Sequence, residues 1–81
     1  MAEKTYFIVQ AFEKKGRRLV PAQPTQCKSA QEAVSRAERD TARFAGVVAF
    51  SQVADEETGE TMDEPEFLFR QGDLPQEMSD E

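Results

Sequence analysis

Two segments of this 81-residue chain are apolar at odd and even positions alike, while only one stretch has the periodicity of a helix. Over Thr5 to Phe12 the odd positions Phe7, Val9 and Ala11 are apolar, and so are Tyr6, Ile8 and Phe12 among the even ones. Val47 to Val53 repeats the pattern, with Val47, Ala49 and Val53 on one parity and Val48 and Phe50 on the other. A strand with one wet face alternates, because successive side chains point to opposite sides. These segments therefore predict a sheet apolar on both faces, with a helix to cover only one. A second copy of the chain is the simplest cover for the other.

The helix is predicted over Ala30 to Ala45. Ser29-Ala30-Gln31-Glu32 matches a capping box, and Ala30, Ala33, Val34, Ala37, Thr41, Phe44 and Ala45 recur at three- and four-residue steps. Gly46 stands where a left-handed C-terminal cap belongs. The outer side carries Glu32, Arg36 and Asp40 at four-residue spacing, favourable charge pairs on a solvated face. Two hairpins flank it. One joins Thr5–Glu13 to Arg18–Gln26 across Lys14-Lys15-Gly16-Arg17, and the other joins Val47–Ala54 to Met62–Arg70 across an acidic loop containing Gly59. Pro21, Pro24 and Pro65 place the second and fourth strands at the edges, since proline cannot donate to a ladder. The expected fold class is α+β: a ββαββ domain with a four-stranded antiparallel sheet in the order 2-1-3-4 and one helix on one face. A single domain is expected over residues 1–73, with a disordered acidic tail over 74–81.

A core this small is commonly reinforced by disulfides, a metal or oligomerisation. Cys27 is the sole cysteine and histidine is absent, so neither an internal disulfide nor a zinc cluster can form. Oligomerisation is the remaining staple. The longest apolar runs, Tyr6 to Val9 and Ala45 to Phe50, fall far short of the roughly 20 residues of a membrane helix, and Met1 to Thr5 lacks the pattern of a secretory signal. A cytoplasmic protein is expected. Residues 1–53 hold nine basic against five acidic side chains, while from Ala54 onward eleven acids face only Arg70, so a net charge of −6 is concentrated in the last third. That third repels nucleic acid and anionic membrane.

Few residues offer chemistry. Without histidine the usual hydrolytic triads are excluded. Cys27 lies beside Lys28 and the helix N-terminus, a setting that lowers thiol pKa, but a half-buried cysteine at a strand end is the simpler reading. The acidic run Asp55 to Glu64 fails EF-hand spacing and reads as a solvated hairpin tip. Lys14, Lys15, Arg17 and Arg18 form the single basic cluster, which lacks the glycine-aromatic string of RNA-recognition sheets and suits a charged hairpin tip that discourages edge aggregation. Carboxylates such as Glu13 or Glu66 could serve an enzyme, yet no spacing pairs them.

The strings Tyr6-Phe-Ile-Val-Gln-Ala-Phe-Glu13, the helix Ala30 to Ala45, Gly46-Val-Val-Ala-Phe-Ser51 and Thr58-Gly-Glu60 resemble a family of short uncharacterised proteins from alphaproteobacteria, across about residues 5 to 75. The resemblance implies a bacterial cytoplasmic setting and carries over no functional residue. The expected function is that of a non-enzymatic interaction module, a homodimer that presents its acidic hairpin or tail to a protein partner, with no cofactor, metal, nucleic acid or membrane. Tyr6, Ile8, Phe12 and Phe50 are the expected interface, with Phe7, Val9, Ala11, Val47 and Ala49 under the helix; the pattern fits the reverse parity equally, and large apolar residues remain uncovered in both cases. The alternative is a small-molecule binder, with Gln10 or Gln52 in a shallow apolar pocket at a subunit boundary.

Overall fold

The computed structural model describes residues 3–61 and 64–75. In chain order the elements are β1 (Glu3–Lys15), β2 (Arg18–Pro21), β3 (Thr25–Cys27), α1 (Ala30–Asp40), β4 (Gly46–Asp55) and β5 (Glu66–Gly72). The sheet is antiparallel throughout, in the order β2-β1-β4-β5, with β3 also bonded to β1. The expected α+β architecture and strand order therefore hold, with β2 and β3 together filling the place of the second strand. The expected acidic tail falls mostly on 76–81, outside the described residues, while Leu74 and Pro75 are half-buried.

The break between β2 and β3 follows from Pro21 and Pro24, and it changes which side chains face inward. Phe12 pairs with Pro21 in β2, but Phe7 pairs with Cys27 in β3, so the register slips by one residue between them. An unbroken ladder would have set Gln26 opposite Phe7 and turned a polar amide onto the helix side. The inserted residue places Cys27 there instead, because a one-residue slip exchanges the two faces of a strand. Ala22 N–H still donates to the Ala11 carbonyl at 2.8 Å, and the Gln10 side-chain amide donates to the Ala22 carbonyl, so the break leaves neither group unpaired. A second bulge lies in β5. Ala49 pairs with Phe69 and Phe50 with Phe67, which leaves Leu68 as the extra residue. Leu68 and Phe69 both pack against the helix-side core as a result, and Phe67 is aimed at Phe50 on the opposite face.

The helix starts where its cap predicts. Ser29 is extended, at φ −151° and ψ 164°, and its hydroxyl accepts from the Glu32 amide at 3.1 Å. It ends earlier than expected, at Asp40, and Thr41 to Arg43 form a turn in which the Arg43 and Phe44 amides donate to the Asp40 carbonyl. Asp40 is consequently 7 % exposed rather than solvated, and its carboxylate accepts from Arg36 Nε at 3.4 Å. Gly46 is not the helix cap. It has no positive φ, and it opens β4 opposite Gly72, where the chain beyond β5 crosses so closely that a Cβ on Gly46 would lie 1.8 Å from the Asp73 carbonyl oxygen. Its role is close approach of two backbones.

Beneath the helix, Ala33 and Ala37 are fully buried against Val9, Ala11, Val47, Ala49 and Cys27, with Phe7 and Phe44 packed at the margin. Alanine at both helix positions removes the side-chain bulk that would otherwise hold the helix off the sheet.

Candidate interaction face

The helix covers the odd-numbered side chains of β1 and β4, so the even-numbered ones form the other face. The ladder pairs Tyr6 with Gln52, Ile8 with Phe50, Gln10 with Val48 and Phe12 with Gly46, which sets these side chains in one field across the two central strands. From β5, Phe67 joins Phe50 edge-on with ring centroids 6.2 Å apart. Two cations lie over rings of this field: Lys4 Nζ is 5.4 Å from the centroid of Tyr6, and the Arg70 guanidinium is 4.8 Å from that of Phe67.

The field is not uniform. Phe12, at 4 % exposed, and Val48, at 0 %, are buried although neither belongs to the helix-side cluster. They lie at the end where the chain passes Gly46, with Asp73 N–H donating to the Ala45 carbonyl at 2.9 Å and Lys14 Nζ 3.6 Å from the Asp73 carboxylate. At the other end Ala54 is 6 % exposed, beneath the loop that bridges it to Thr61. Between these covered ends Tyr6, Ile8, Phe50 and Phe67 stay half-buried, four large apolar side chains with partial access to solvent. Of the residues read from the sequence as an interface, Tyr6, Ile8 and Phe50 thus lie in one accessible patch, while Phe12 is enclosed by its own chain and offers no surface. Phe67 was missed because its place beside Phe50 depends on the Leu68 bulge, which no periodicity signals.

The other candidate groups are dispersed or engaged. Gln10 donates from its side-chain amide to backbone carbonyls of Ala11 and Ala22, and Gln52 donates to the Val53 carbonyl at 3.2 Å, so both amides are already committed. The described residues enclose no pocket. Glu13 is exposed on β1 opposite Val20, and Glu66 is exposed on β5 opposite Ser51, so β4 and several residues along the strands separate the two carboxylates. Cys27 is 6 % exposed, and burial pushes its thiol above the ordinary pKa; Glu32 and Asp40 act in the same direction, against Arg36. Burial, with the two carboxylates, thus disfavours the reactive thiolate.

The acidic loop is ordered by its own backbone. Gly59 N–H donates to the Asp55 carbonyl at 2.7 Å, Asp55 N–H to the Glu60 carbonyl at 2.9 Å, and Glu57 N–H to the Asp55 carboxylate at 2.8 Å. Among the described residues no three Cys, Asp or Glu side chains converge as metal ligands, and no helix is long and apolar enough to cross a membrane. What the fold and its accessible patch define is a small sheet-and-helix domain with an aromatic field on its helix-free face. Comparison with protein-family models, with curated proteins and with solved structures finds no match.

Proposed function

We propose that this chain is a non-enzymatic interaction module that self-associates through the helix-free face of its sheet, as a homodimer in a bacterial cytoplasm. One observation carries the reading: Tyr6, Ile8, Phe50 and Phe67 lie together on three hydrogen-bonded strands and keep partial solvent access after the chain has folded. Aromatic and aliphatic side chains gathered on a fixed surface, ringed by charge, are the usual make-up of an interface centre. The lone, buried thiol suits a reducing compartment. Mutation of the patch tests the reading. Phe50→Asp puts a charge at the centre of the field; it is expected to leave the circular-dichroism spectrum intact and to convert a dimer to a monomer by light scattering. A Phe50→Asp protein that remains folded and associates as tightly as the parent would refute it.

A further inference from the structure

The two charged loops lie at opposite ends of the sheet, and their placement relative to the aromatic patch fixes how a second copy would sit. β1 runs the full length of the sheet, pairing Glu3 with Asp55 at one end and Lys15 with Arg18 at the other. The end at Asp55 carries Glu56, Glu57 and Glu60 in its loop, with Glu3 and Asp55 on the helix side and Lys4 on the aromatic side, and the end at Lys15 carries Lys14, Lys15, Arg17 and Arg18 against Glu13 and Asp73. The Ile8–Phe50 pair is midway. Lys14 lies six residues beyond Ile8 along β1, and Asp55, the last residue of β4, lies five beyond Phe50 in the opposite direction, with Glu56 next in the turn. At about 3.3 Å per residue each arm is about 20 Å long.

We infer that the occupant of the aromatic face is a second copy laid antiparallel, its two-fold axis running across the strands through the Ile8–Phe50 pair, so that each basic tip overlies the acidic loop of the other protomer. The inference rests on the self-association reading and adds its orientation. A two-fold axis along the strands would stack basic tip on basic tip and acidic loop on acidic loop, repulsive at both ends. End-to-end joining would match the charges but leave the aromatic patch in water and propagate an open chain. The equal arms make the antiparallel arrangement alone satisfy patch and charges together. Lys14 projects to the same face as Ile8 by strand alternation, and its contact with Asp73, between side chains 58 % and 62 % exposed, is too solvated to hold it from a partner. Twisted sheets pack at about 30° to one another, which offsets the tips sideways by about 10 Å, close to one Debye length at 0.1 M salt. The charges therefore orient the encounter across solvent, and the rings supply the contact.

Spin labels on the full chain test this. With Cys27→Ala as background, or with Cys27 retained where burial keeps it unlabelled, a label is placed at Arg17→Cys or at Glu57→Cys, and double electron–electron resonance is read beside sedimentation. The antiparallel dimer predicts a separation of about 50 Å between the two Arg17→Cys labels and less than about 25 Å when an Arg17→Cys protomer is mixed with a Glu57→Cys protomer, from the strand rise and an inter-sheet spacing of about 10 Å. For the unlabelled protein, raising salt from about 20 to 500 mM is expected to weaken association roughly 5- to 10-fold. A dimer whose Arg17→Cys labels lie within about 25 Å overturns the orientation and leaves self-association standing. Close Arg17–Glu57 labels in species that grow beyond a dimer overturn it in favour of end-to-end joining. A monomer at every concentration and salt overturns both.

Discussion

Gly46→Ala is expected to be among the most damaging single-methyl changes in this protein. The added Cβ would lie 1.8 Å from the Asp73 carbonyl oxygen, 2.6 Å from its carbon and 3.1 Å from its nitrogen, all backbone atoms that no rotamer change can move aside. Ordinary contact lies near 3.5 Å, so the segment after β5 must retreat by about 1.5 Å. That retreat breaks the 2.9 Å bond from Asp73 N–H to the Ala45 carbonyl and separates Asp73 from Lys14, 3.6 Å away. Overpacking costs about 1–3 kcal/mol, the lost backbone bond adds about 1, and the exposed ion pair adds little, so the loss should be about 2–4 kcal/mol. For a chain of this size that lowers the melting temperature by roughly 10–25 °C. Urea titration followed by circular dichroism gives the free energy directly. Gly16→Ala serves as the control: its φ of 66° is strained for alanine but nothing lies within 4 Å of the new Cβ, so its loss should be smaller, about 1 kcal/mol. A Gly46→Ala protein within about 0.5 kcal/mol of the parent would refute the close crossing of Asp73 over β4.

Other perturbations read other parts of the structure. Ser29→Ala removes the acceptor for the Glu32 amide and should cost about 1 kcal/mol in urea titration. Val47→Ala, at a side chain with no exposure beneath the helix, should cost about 2 kcal/mol by the same measurement. Cys27 should react with Ellman's reagent far more slowly in the folded chain than in urea. The folded thiol, its pKa raised by burial, keeps its proton to higher pH than the unfolded one; its contribution to stability is complete below the unfolded thiol's pKa and is lost as pH rises through the folded value, which a urea series in alkaline buffers would record.

Local chemistry made part of this fold legible from the residues alone. Ser29 with Glu32 marks the helix start, the prolines assign the edges, and the doubly apolar runs Tyr6 to Phe12 and Val47 to Phe50 mark the central strands, but which of their two faces lies under the helix is set by the packing of Ala33 and Ala37 and was open in the sequence. Features set by distant contacts were not legible. Gly46 looks like a helix cap because it follows an apolar stripe, and only the crossing at Asp73 shows otherwise. Cys27 faces inward through a register slip, and Phe67 reaches Phe50 through a bulge; both depend on pairings that a two-residue period does not encode. Phe12 carries the same apolar signal as Ile8 on the same strand face, but whether either meets solvent depends on the rest of the folded chain.

Sedimentation equilibrium of the unmodified protein across a wide concentration series, about micromolar to high micromolar at low salt, meets the central claim most directly. A reversible monomer–dimer equilibrium, weakened by salt and abolished by Phe50→Asp, is the predicted result. A single monomeric species throughout the range would contradict it.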